Sequence, residues 1–316
     1  MTSPTAKSLA PSLVPGNPDA CRLLASLFAN AGGTTKLFPM FGHVEAPLLA
    51  LVETDPAALS PLATGGRAAW SCHAYPEARA FLAPVIAARP ATPVGVWISV
   101  PWDRTGEPMT AEREHALLQL YYAESLLALG ESEAGERRFA EALGQATLPG
   151  YLRLTGSIYD HGTPDDFRLL ALTRAARALR LRFEGKDACV FRKVKKPRPG
   201  AVPDASLLAL ARTYVDRALA VVGPRVVAQY AGLVPDATYA HEGRTRLHKD
   251  YAWQRHVLFE AALLDEHAGL RARATSRMGK ARLLAALNDP TLTYEPELRD
   301  AVARLGATVT PLDAPE

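Results

Sequence analysis

Cysteine is scarce in this 316-residue chain. Cys21, Cys72 and Cys189 are odd in number and far apart, which excludes a disulfide framework and fits a reducing compartment. Long apolar runs are missing too. None approaches the roughly 18 residues a membrane span needs, and the apolar stretch Phe81–Ala87 is short and carries Pro84. The first sixteen residues, MTSPTAKSLAPSLVPG, hold one lysine and three prolines and have no apolar core, so a disordered tail is expected there and not a signal peptide. Gly32-Gly33 and Gly65-Gly66 lack the spacing of a phosphate-binding loop. His241-Glu242 lacks the second histidine that a zinc-protease helix requires. These absences leave no motif for a cofactor. A cytoplasmic protein without membrane contact is expected.

What is present is an ordinary globular composition, 48% hydrophobic and 22% charged, with a net charge of +3 that is unevenly placed. Residues 101–160 carry ten acidic and five basic side chains, and residues 161–230 carry fourteen basic and six acidic ones. A polarised surface follows from that asymmetry.

Helix signals dominate. Asn17-Pro18-Asp19, Tyr75-Pro76-Glu77, Thr110, Thr163-Pro164-Asp165, Asp204 and Glu295-Pro296-Glu297 each combine a capping residue, a first-turn proline or a first-turn acid. Leu169, Leu172, Ala176, Leu179 and Phe183 recur at helical spacing, although Leu179, Leu181 and Phe183 also alternate as a hairpin strand would. Helix is favoured there through about Leu181. The Asp204 helix is expected to stop at Gly223-Pro224, and further helices are expected over 244–267 and about 271–287. Strands are expected at 34–41, 48–52, 94–100 and 188–194; the run VGVWISV (94–100) is the strongest. The fold class is thus mostly α, a helical-hairpin domain preceded by a small mixed α/β region. Its divisions are a tail at 1–16, the α/β region at 17–100, a linker at 101–110, the helical domain at 111–306 and a tail at 307–316.

Two segments, 111–149 and 250–290, share one pattern. Ala123, Gly130, Gly135, Phe139 and Ala142 fall at the same spacing as Ala262, Gly269, Ala274, Met278 and Ala281. Small residues let two helices approach, glycine turns the chain, and the large residue fills the gap. The pattern resembles the tetratricopeptide repeat. Gln119 and Leu258 stand where that family has tryptophan, and its early tyrosine is missing as well. The resemblance implies antiparallel helix pairs that present a surface to a protein or peptide.

Three groups of residues are candidate sites. Arg174, Arg177, Arg192, Lys193, Lys195, Lys196 and Arg198 form a basic segment of the kind that neutralises phosphates. His256 and Glu260, one turn apart, can ligate a metal together, with His115 the candidate third ligand. His241, His248 and His267 are too widely spaced to join them, since seven residues span about 10 Å of helix. Cys72-His73 pairs a thiol with an imidazole, but adjacent side chains usually point apart. The function expected from these residues is a non-catalytic interaction or adaptor protein that takes a protein or peptide partner. The alternative is a nucleic-acid-binding protein using 168–198 on DNA or RNA, and the second alternative is an enzyme with a site between the two regions.

Overall fold

The computed structural model describes residues 59–71, 73–94, 110–144, 164–188, 204–230, 244–286, 291–292, 296–312 and 314–316. Among the described residues every regular element is an α-helix: α1 Leu59–Ser71, α2 Tyr75–Ala88, α3 Ala111–Leu129, α4 Ser132–Leu143, α5 Pro164–Phe183, α6 Ala205–Tyr230, α7 Arg244–His267, α8 Arg271–Ala286 and α9 Pro296–Leu305. A mostly α protein results. The expected strands at 34–41 and 48–52, nearly all of those at 94–100 and 188–194, and the expected tail at 1–16 lie outside the described residues.

The helix starts follow local chemistry. Pro76 sits in the first turn of α2. Thr110 caps α3, its Oγ1 accepting the Arg113 N–H at 3.2 Å. Asp204 Oδ1 accepts the Ser206 N–H at 3.0 Å and its hydroxyl at 2.6 Å, which holds the carboxyl below its ordinary pKa. One helix departs from expectation. The segment after Asp204 does not stop at Gly223-Pro224 but continues as helix to Tyr230. A proline removes its own hydrogen bond and crowds the carbonyl four residues back, but a helix already five turns long continues past it. α1 contains Gly65-Gly66 and has weak helix propensity, yet it forms. A Cβ on Gly66 would stand 2.5 Å from the Leu82 side chain, so α1 is a helix by close packing on α2. The hairpin alternative at 179–183 gives way to helix through Phe183. Leu179 and Leu181 are buried there together with Arg180, so their alternation with arginines does not sort two faces of a strand.

The chain forms two compact units, Met1–Tyr151 with Glu184–Pro203, and Leu152–Phe183 with Asp204–Glu316. In the structure α1 and α2 belong with α3 and α4, because α2 and α3 share one core. In the first unit Leu62, Phe81, Leu82, Leu117, Leu120, Leu127 and Phe139 are buried. In the second, α5 packs on α6 and α7, and α8 packs on α7 and α9. Leu172, Leu179, Tyr214, Val257, Leu264, Met278 and Leu284 fill that core.

The two segments of matching sequence become two helix pairs, α3 with α4 and α7 with α8. Their turns are the same. Gly130 (φ 90) and Gly269 (φ 73) adopt the left-handed conformation that only glycine takes without cost. The next residues, Glu131 and Leu270, donate back to Leu126 and Asp265, each at 2.9 Å. Ala123, Gly135, Phe139 and Ala142 are buried, and so are Ala262, Ala274, Met278 and Ala281. A Cβ on Gly135 would stand 2.8 Å from Leu127 and 3.1 Å from the Ala123 carbonyl oxygen, so these two helices touch backbone to side chain. Gln119 closes the first pair, its amide donating to Glu141 Oε2 at 2.8 Å.

Residues 307–312 and 314–316 pack against the second unit. Ala307 and Leu312 are buried, and Glu316 pairs with Arg277 of α8.

Candidate functional site

The second unit concentrates charge inside itself. Arg174, Arg177 and Arg180 recur every third residue of α5, which brings them to one side of the helix. Arg177 donates to Glu297 Oε2 of α9 at 2.8 Å. Arg180 grips Glu260 of α7 with two bonds: Nε to Oε1, and Nη2 to Oε2 at 3.2 Å. Both side chains are almost completely enclosed, 3% and 2% exposed, and Glu297 Oε1 stands 3.7 Å from the same guanidinium. A fork-to-fork pair of this kind is the strongest geometry open to arginine and a carboxylate.

His256 lies one turn before Glu260 on α7. Burial, then the charges of Arg255, Arg177 and Arg174, push its pKa down to about 3, so the ring is neutral at physiological pH. A neutral imidazole is a competent metal ligand. Glu260, however, already serves Arg180 with both oxygens. His115 belongs to the first unit, where it is buried; burial chiefly, with Arg89 and Arg138 after it, lowers its pKa. Among the described residues no group of three or more His, Cys, Asp or Glu side chains is arranged to hold a metal. Of the basic segment only Arg174 and Arg177 are described; Arg192, Lys193, Lys195, Lys196 and Arg198 lie outside the described residues.

A second cluster surrounds Asp265, which is fully buried at the end of α7. Its Oδ1 faces Arg212 of α6 and Arg273 of α8, each at 2.7 Å, and its Oδ2 faces Arg277 at 3.0 Å. The Asp265 hydrogen bond is the first cause that raises the pKa of Arg273. Three arginines on one carboxylate leave surplus positive charge, and Arg277 passes part of it to Glu316 at 2.5 Å. Sequence reasoning missed this cluster. The signal was an aspartate at the end of the apolar run AALLD, followed across a three-residue turn by Arg273 and Arg277, four apart.

The first unit holds a polar chain of its own. Tyr75 donates to Glu124 Oε1 at 3.1 Å, and His73 Nδ1 lies 3.1 Å from the same hydroxyl. With the hydroxyl proton committed to the carboxylate, the imidazole must donate, so its proton sits on Nδ1. His73 turns the chain between α1 and α2 with φ 59, a left-handed conformation that costs a non-glycine residue about 1–2 kcal/mol. Trp70 stacks on Tyr121 with ring centroids 4.0 Å apart. The thiol partner suggested for His73, Cys72, lies outside the described residues, and the histidine is engaged with Tyr75.

Among the described residues no helix is long and apolar enough to cross a membrane. No family model, no curated protein and no solved structure matches the chain.

Proposed function

We propose that this chain is a non-catalytic interaction protein whose helix pairs, built on the plan of tetratricopeptide units, present their faces to a protein or peptide partner. One observation carries this reading. The two pairs, in separate units, share buried small residues at matched positions, the same left-handed glycine and the same closing hydrogen bond. Pairs of this kind bury one face against each other and leave the other for a ligand. The charged clusters add support. Their carboxylates are spent on arginines, as Glu260 is on Arg180 and Asp265 on three of them, and are not aimed at a reacting atom.

The test is selection of displayed peptides on the full chain, paired with a duplex DNA and RNA titration at two salt concentrations. Convergent peptides and weak, sequence-blind nucleic-acid binding are expected. No convergent peptide, together with a log–log salt slope of about −4 that flattens when Lys195, Lys196 and Arg198 become glutamine, would replace this function with nucleic-acid binding.

A further inference from the structure

Residues 307–316 lie across α8 in the manner of a bound peptide. The chain leaves α9 through Gly306 (φ 65), and Ala307 N–H donates to the Val302 carbonyl at 3.0 Å. From there α8 meets the segment at successive points. Arg282 donates to the Ala307 carbonyl at 2.9 Å, and Lys280 to the Ala314 carbonyl at 2.7 Å. Arg277 donates to Glu316 Oε2 through Nε at 2.8 Å and Nη2 at 2.5 Å. Leu312 is buried. At Gly279 the segment passes so close that a Cβ would stand 2.3 Å from the Thr308 carbonyl oxygen and 2.1 Å from Thr310 Oγ1. The helix is notched at that position, and the notch fits a backbone.

This is the chemistry of recognition of an extended chain. Two backbone carbonyls are read by basic side chains, which is independent of sequence. One leucine is enclosed, and one carboxylate is read four residues later. Pro311 and Pro315 keep the segment out of helix. The attachment is also sparse. Among the described residues the bonds to α8 come from long basic side chains and none is a backbone ladder, and Val309 stays exposed. Departure of the segment would not orphan the site, since Arg277 keeps Asp265 at 3.0 Å. It would leave Arg212, Arg273 and Arg277 facing Asp265, with Asp216 acting on Arg273 from further away, and would take from Lys280 the Glu316 carboxylate beside it. That surplus calls for an anion.

We propose that this face of α8 binds an extended, acidic segment of a partner protein, with a leucine four residues ahead of a carboxylate, and that residues 307–316 are the intramolecular occupant which the partner displaces. The proposal rests on the interaction function above and names the partner's chemistry. A tethered occupant works at a high effective concentration, so it masks the site from weak competitors in solution.

The probe is a fluorescein-labelled peptide of residues 307–316, titrated by anisotropy into the full chain. Leu312→Ser with Glu316→Gln in the protein loosens the occupant while the probe stays intact. That variant is expected to bind the probe about tenfold or more tighter than the wild-type chain. Adding Gly279→Ala, or Arg282→Gln as a milder block on a half-buried side chain, should remove the gain, with circular dichroism showing that the helices persist. A probe carrying glutamine for the final glutamate should bind several-fold more weakly. Failure of the loosened variant to bind the probe would overturn the proposal and make the segment a permanent part of the fold. Equal binding of the glutamine probe would overturn the role of the carboxylate. Probe-sensitive dimers in light scattering would make the occupant a second copy of this chain. Probe binding without any convergent displayed peptide would leave this site standing and sink the adaptor function; the reverse would do the opposite.

Discussion

Replacing Glu260 with glutamine is the sharpest perturbation of the second unit. The change keeps the shape of the side chain and removes its charge, leaving the Arg180 guanidinium 3% exposed beside a neutral amide. At about 4 Å and an effective dielectric of about 20, a pair of unit charges is worth about 4 kcal/mol, and breaking a buried pair costs about 3–5 kcal/mol. Glu297 lies 3.7 Å from Arg180 and is half exposed, so it takes over part of the neutralisation. A loss of about 3 kcal/mol is therefore expected for Glu260→Gln. Removing both partners behaves differently. Arg180→Met with Glu260→Leu puts apolar groups of similar volume into the same space and eliminates the desolvation of two ions, so a change within about 1 kcal/mol of wild type is expected. Urea unfolding followed by far-ultraviolet circular dichroism measures both, provided the slope m is unchanged. A single variant within about 1 kcal/mol of wild type would show that the pair is not buried. A double variant as damaging as its two parts together would mean no coupling between the two side chains and would refute the pairing of Arg180 with Glu260.

The remaining predictions concern packing and pH. Ala142→Leu should overpack the α3–α4 contact and cost about 1–3 kcal/mol, read as a lower melting temperature; an unchanged value would refute the close approach of those helices. His256 is held neutral by its surroundings, with a folded pKa of about 3 against an ordinary 6.5. Below 6.5 the unfolded chain takes up the proton and the folded chain resists it, so this contribution to stability is full above 6.5 and is lost as pH falls toward 3. His256→Asn should flatten the decline between pH 7 and 5, and identical slopes for the two proteins would count against an imidazole held neutral in the fold.

Helix starts were legible because capping is local. Thr110, Pro76, Pro164 and Asp204 each act within one turn, so four consecutive residues carry the information. The paired small residues were legible because a helix–turn–helix unit closes within some thirty residues, and only alanine or glycine fits its contact points. α1 was not legible, since its glycines argue against helix and the packing that holds it, Leu82 and Phe81 of α2 against Gly66 and Tyr121 of α3 on Trp70, comes from other segments.

The candidate sites divide in the same way. The sequence by itself determined where arginines, histidines and carboxylates stand along each helix. It presented Arg174, Arg177, His256 and Glu260 as free to meet phosphate or metal. Only the tertiary structure decided that Arg180 meets Glu260 eighty residues away, that Glu297 takes Arg177, and that Asp265 gathers three arginines. It also decided that 307–316 crosses α8 at Gly279. The physical reason is that an ion pair or a close approach is a property of two distant segments and of the water excluded between them. A sequence lists each partner without its neighbour, and burial, which sets the strength of every one of these contacts, exists only once the chain has folded.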